Sequence, residues 1–124
     1  MIRFTAALAA TALVAAPIAA QVRSQSAKTY SDNLARLSDI QRRAALRRAV
    51  LDSGETCVRV EQAGYQQVYK NLEMWVVRCT GNRDFGAFIG PDGSVQVSGC
   101  TYLAKMKWPA CRVASLGPVP AGRR

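Results

Sequence analysis

Phe85-Gly86-Ala87-Phe88-Ile89-Gly90-Pro91-Asp92-Gly93-Ser94-Val95-Gln96-Val97-Ser98 sets the architecture of this chain. Residues on either side of Gly90–Gly93 alternate with a period of two, as strands do. Proline within the interruption fixes φ near −65° and glycine supplies φ > 0, so the stretch reads as two strands joined by a tight turn. Strands joined in this way pair antiparallel. The same period appears upstream in Met74-Trp75-Val76-Val77-Arg78-Cys79 and in Cys57-Val58-Arg59-Val60-Glu61. Gly81-Asn82-Arg83 supplies a turn between the second and third strands. Residues 62 to 72 lack a clear period and carry Tyr65 and Tyr69, which predicts a long exposed loop or an irregular hairpin extension.

N-terminal to this meander the period is helical. Ser38 followed by Gln41 forms a capping box, which predicts a helix from Asp39 to about Asp52 with Gly54 as its stop. Its apolar residues form two stripes, Ile40/Ala44/Leu51 and Leu46/Val50, and Arg42, Arg43, Arg47 and Arg48 fill the spaces between them. Downstream, Thr101 to Trp108 fits a short helix ended by Pro109. The expected fold is therefore α+β: an N-terminal helix on a three- or four-stranded antiparallel meander, then a short C-terminal helix. Trp75, Trp108, Phe85, Phe88 and Tyr102 are read as core, with Trp75 and Cys79 on one face of their strand.

The chain is short, 124 residues with 17 Lys and Arg against 8 Asp and Glu, a net charge of +9 and no histidine. This length excludes a membrane-spanning bundle, a repeat array and a dinucleotide-sized α/β enzyme. Arg3, the apolar run Phe4 to Ala16 and the small residues Pro17-Ile18-Ala19-Ala20 have the layout of a secretory signal peptide over residues 1–20. Residues 21–37 are expected to be a polar leader, 38–113 the folded domain and 114–124 a disordered tail with nothing to pack.

The four cysteines, Cys57, Cys79, Cys100 and Cys111, all fall in the expected domain. An even number in a short exported chain reads as two disulfides. Zinc is disfavoured, because no C-x-x-C is present and no histidine completes a mixed site. Of the three pairings possible, Cys57 with Cys79 and Cys100 with Cys111 is expected. The first joins neighbouring strands and the second closes a short loop around the last helix.

Catalytic signals are missing. The acidic residues form no convincing pair in one cleft, and neither the G-x-S-x-G nor the S-x-x-K motif occurs. Phosphate-cradling glycine motifs are absent as well, so neither an enzyme nor a cofactor is expected. Two binding surfaces remain. Arg42, Arg43, Arg47 and Arg48 are candidates for an anionic partner, which in the periplasm or outside the cell means lipopolysaccharide, anionic phospholipid or an acidic protein rather than nucleic acid. Tyr65 and Tyr69 are candidates for a protein-contact edge.

The order of helix, Ser53-Gly54, Trp75-Val76-Val77 and Phe88-Ile89-Gly90-Pro91-Asp92-Gly93-Ser94-Val95 resembles that of PepSY-type exported bacterial domains over residues 38 to 100. It is also similar to uncharacterised periplasmic proteins of proteobacteria. The PepSY resemblance implies a regulatory role toward a partner, proteases being the usual ones. The four cysteines and the arginine excess depart from the usual pattern. The expectation is a non-catalytic binding or accessory module, with docking on an anionic envelope surface as the alternative.

Overall fold

In the computed structural model, residues 26–116 are described; the expected signal peptide and residues 117–124 of the expected tail lie outside them. The architecture is α+β. Helices α1 (Ala27–Arg36) and α2 (Asp39–Asp52) are followed by strands β1 (Val60–Tyr69), β2 (Leu72–Cys79), β3 (Arg83–Ile89) and β4 (Val95–Gly99). A one-and-a-half-turn helix α3 (Cys100–Lys105) and a 3-10 turn (Val113–Leu116) complete the order. The four strands form one antiparallel meander in the order β1-β2-β3-β4.

Both faces of the sheet are covered. Trp75, Val77 and Cys79 of β2, with Phe85, Ala87 and Ile89 of β3, pack beneath Leu46 and Val50 of α2 and beside Tyr30 and Leu34 of α1. The intervening residues Met74, Val76 and Phe88 point to the opposite face, where Leu103 of α3 and the half-buried Trp108, Val113 and Leu116 cover them. The centre of β2, Met74 to Val77, is thus apolar without interruption, as a strand buried on both faces requires, with Glu73 and Arg78 flanking it. At Gly86 a side chain would have its Cβ 2.6 Å from a Leu103 methyl, so glycine there is what lets α3 lie against the sheet.

The capping box of α2 is present, with Gln41 N donating to Ser38 Oγ at 3.2 Å and Ser38 N donating to Gln41 Oε1 at 3.3 Å. Of the two apolar stripes, Leu46/Val50 is the one that packs, while Ile40 is left 78% exposed. Both disulfides form as expected, Cys57–Cys79 with Cα atoms 5.4 Å apart and Cys100–Cys111 with 5.7 Å. Cys57 does not face Cys79 across the ladder, however. Val60 does, and Cys57 reaches back from the segment ahead of β1.

Three expectations are corrected and a fourth is narrowed to one of its two readings. The polar leader contains a helix, α1, because Ala27, Tyr30, Ser31 and Leu34 fall on one face at helical spacing and lie on the sheet. Residues 62–69 are the irregular hairpin extension and not the exposed loop: β1 runs on to a two-residue turn at Lys70-Asn71, and register shifts at Val60/Gln62 and Tyr65/Gln67 erase its period of two. The expected tail begins too early, since Leu116 packs on the sheet directly over Gly64. Tyr102 is 56% exposed rather than core, because on so short a helix only the neighbouring Leu103 faces inward.

Trp75 links two of these layers. Its Nε1 donates to Ser31 Oγ at 2.9 Å in a buried contact between β2 and α1. Ser31→Ala leaves that donor unpaired away from water, at a cost of about 1 to 3 kcal/mol. Thermal unfolding should show the loss, and Ser31→Thr should recover part of it. An unchanged melting temperature in the alanine variant would mean that α1 does not depend on this bond.

Candidate binding surface

The segment before β1 presents backbone carbonyls that no sheet partner takes, and α2 lies alongside it. Arg47 Nε donates to Cys57 O at 2.8 Å and to Val58 O at 3.1 Å, and Arg43 Nη1 donates to Val60 O at 3.2 Å. Arg59 O accepts from Thr80 N at 3.0 Å, so every carbonyl from Cys57 to Val60 has a donor. Arg42 serves the other end of the helix pair. Its Nε and Nη2 donate to Leu34 O, Ala35 O and Leu37 O at 3.2, 2.8 and 2.7 Å, at the C-terminus of α1, which carries its negative dipole end. Arg48 differs from these three in that its partner is a side chain, Asp52 at 3.0 Å, and not a backbone carbonyl.

Between α2 and this segment lies a groove of about 510 Å³, lined by Ile40, Arg43, Ala44, Arg47, Val58 and Arg59 among others. Ile40 is 78% and Val58 81% exposed, the two most exposed large apolar side chains of the described residues. The arginines stand beside them, with Arg43 Nε 3.1 Å from Asp39 and Arg59 Nη2 3.7 Å from Glu61. The groove therefore combines apolar walls with a cationic excess. Of the four arginines the sequence singles out, Arg43 and Arg47 line the groove and Arg42 and Arg48 do not, while Arg59, Ile40 and Val58 were missed. The available signal was that α2 carries two apolar stripes and one sheet can cover only one of them.

Tyr65 and Tyr69 are not brought together. The register shift between Tyr65 and Gln67 turns them to opposite faces of β1. Tyr65 stacks edge-on against Trp75 at 5.9 Å on the α1 and α2 side, whereas Tyr69 packs on Trp108 at 5.1 Å and Phe88 at 6.3 Å on the α3 side.

Tyr65 Oη donates to the buried Glu73 Oε2 at 2.6 Å. Desolvation, then this hydrogen bond and the Glu73 charge, push the Tyr65 hydroxyl up to about 12 from an ordinary 10.0. A raised folded-state value means that its contribution to stability is whole below pH 10.0 and is lost as pH rises through about 12. With the ring 47% exposed, that contribution is small. Absorbance at 295 nm should show one tyrosine ionising near pH 12, and Glu73→Gln should move that titration downward. A titration that Glu73→Gln leaves in place would contradict this account.

All eight carboxylates have a partner: Lys28 for Asp32, Arg43 for Asp39, Arg48 for Asp52, Arg83 for Glu55, Arg59 for Glu61, Tyr65 for Glu73, Arg78 for Asp84 and Ser94 for Asp92. Hydrogen bonds from the Ser94 hydroxyl and amide hold the Asp92 carboxyl below its usual range. Among the described residues, no cluster of three His, Cys, Asp or Glu could hold a metal ion, and no helix is long and apolar enough to cross a membrane. Comparison with protein-family models, with curated proteins and with solved structures finds no match.

Proposed function

We propose that this protein is an exported, non-catalytic binding module whose α2–β1 groove receives an apolar, acid-bearing segment of a protein partner. The observation that carries the reading is the pairing of Ile40 and Val58, both exposed, with Arg43, Arg47 and Arg59 around one concavity. An exposed isoleucine and valine on facing walls suit inserted side chains, and the guanidiniums suit carboxylates at the rim. The PepSY-type order of elements and the commitment of every carboxylate to a partner support an accessory role over a catalytic one. Two disulfides and the signal-like N-terminus support an extracytoplasmic address, periplasmic or secreted.

Docking on an anionic envelope surface is the weaker reading. A phosphate-bearing surface gives no role to the exposed Ile40 and Val58 between the arginines, and Arg42, outside the groove, already spends Nε and Nη2 on the carbonyls of Leu34, Ala35 and Leu37. Site-specific photo-crosslinking of the full chain in its own compartment separates the two. A crosslinker at position 40 or 58 should trap one discrete protein, and a crosslinker at the outward-facing Arg48 should not. Equal trapping from all three positions would remove the groove. Sedimentation with anionic phospholipid vesicles that survives Ile40→Ser with Val58→Ser would favour surface docking instead.

A further inference from the structure

The two edges of the sheet are treated differently. Along β1 the edge is irregular and covered: it is broken by two register shifts, Arg43 bonds Val60 O at 3.2 Å, and Arg112 Nη2 bonds Gln66 O at 3.4 Å. Guarding of this kind is how sheets avoid adding a further strand. β4, the other edge, pairs with β3 without a register shift and contains neither charge nor proline. Its sequence with the preceding residue, Ser94-Val95-Gln96-Val97-Ser98, is a palindrome centred on Gln96.

We infer that β4 pairs antiparallel with β4 of a second copy of this chain, on a two-fold axis through Gln96, to give a continuous eight-stranded sheet. The hydrogen-bond phase permits this register. Gly90 N bonds Ser94 O at 2.9 Å, and bonded pairs then alternate along the hairpin, so Gln96 bonds inward to Phe88 while Val95 and Val97 turn their N–H and C=O groups outward. In the palindromic register each Val95 faces Val97 of the other copy, and the two outward sets form bonded pairs. Gln96 faces Gln96 at a non-bonded position, because its own N–H and C=O point inward to Phe88, and the two-fold axis passes between them.

The side chains agree with the backbone. Val95, 42% exposed beside Ile89 and Leu46, gains a valine neighbour. On the other face Tyr102 and Met106, 56% and 51% exposed, border Gln96 and gain cover. Charge favours this edge as well, because two copies of a chain with net charge +9 meet here through uncharged strands. A five-residue strand is about 17 Å long, too short for a standard interface of roughly 800 Å² per partner, so the dimer is weak and in exchange with monomer. Distant like charges oppose it, so added salt strengthens it.

Sedimentation equilibrium of the oxidised full chain should show monomer and dimer in exchange in the upper micromolar range, with dimer increasing as salt is raised. Gln96→Lys and Gln96→Glu each place like charges face to face at the axis and should weaken the dimer tenfold or more. Mixing the two variants should restore association as a heterodimer. Val97→Pro, which removes an outward N–H that β3 does not use, should abolish dimerisation while the monomer stays folded by circular dichroism. Wild-type protein that remains monomeric at millimolar concentration overturns the inference. So does a dimer indifferent to Gln96→Lys, or one lost on Ile40→Ser with Val58→Ser instead, which would place the contact in the α2–β1 groove.

Discussion

Removing both disulfides should leave the chain largely unfolded at physiological temperature. The loops they close span 22 and 11 residues and do not overlap, so their effects on the unfolded chain add. Restriction of loops of these sizes is worth about 3 kcal/mol each. Together they account for about 6 kcal/mol against a typical total of 5 to 15, and a domain this small sits toward the lower end. The two should not be equal. Cys57 and Cys79 are themselves buried in the cluster under α2, so replacing both with alanine also thins the core, whereas Cys100 and Cys111 are half-buried at the edge of the opposite cluster. Cys57→Ala with Cys79→Ala should lower the melting temperature by about 15 °C or more and the other pair by less. If the Cys100–Cys111 variant is the less stable of the two, the burial argument is wrong.

The readable parts of this fold were those whose signal is local. The Gly90-Pro91-Asp92-Gly93 turn, the capping box at Ser38 and the alternation of β2 and β3 each state a conformation within a few residues, and each stands in the structure. Over residues 62–69 the sequence leaves loop and hairpin extension both open, because the register shifts of β1 break the alternation that marks a strand. α1 was missed because the side chain at its centre of contact is a serine. Ser31 is buried on that face with its hydroxyl satisfied by Trp75 Nε1, a partner on a strand 44 residues away.

The binding surface was legible in its charge and not in its shape. Four arginines close together on one helix are visible to any reader, but which of them reach backbone carbonyls depends on where the chain before β1 passes. Arg42, Arg43 and Arg47 are anchors as well as charges, and Arg48 is neither buried nor bonded to the backbone of another segment. Ile40 and Val58 lie 18 residues apart on a helix and an irregular segment, and only the tertiary fold makes them two walls of one groove.

Phe88→Ala should be the most damaging single truncation on the face opposite α1 and α2. Phe88 is 1% exposed and is the largest of the fully buried side chains. Its ring meets Trp108 edge-on at 5.0 Å and Tyr69 at 6.3 Å, with Met74, Val76 and Leu103 around it. Removing a phenylalanine from such a site costs about 3 to 5 kcal/mol, from lost transfer energy and from the cavity left behind. Collapse into that cavity is hindered below by the strand backbone, so any relaxation must come from the cover. That cover is the short α3 and the irregular chain beyond it, held by the Cys100–Cys111 bond and by contacts such as Trp108 N to Leu103 O at 3.1 Å. Hydrogen exchange in Phe88→Ala should therefore speed up at the Met106 and Trp108 amides before it does in α2, alongside a fall in melting temperature of about 12 °C or more. Tyr102→Ala, a truncation of comparable size at a residue the sequence alone also placed in the core, should cost no more than about 0.5 kcal/mol, because its ring is already in water in the monomer. Equal losses from the two variants would mean that Phe88 is not the centre of this face.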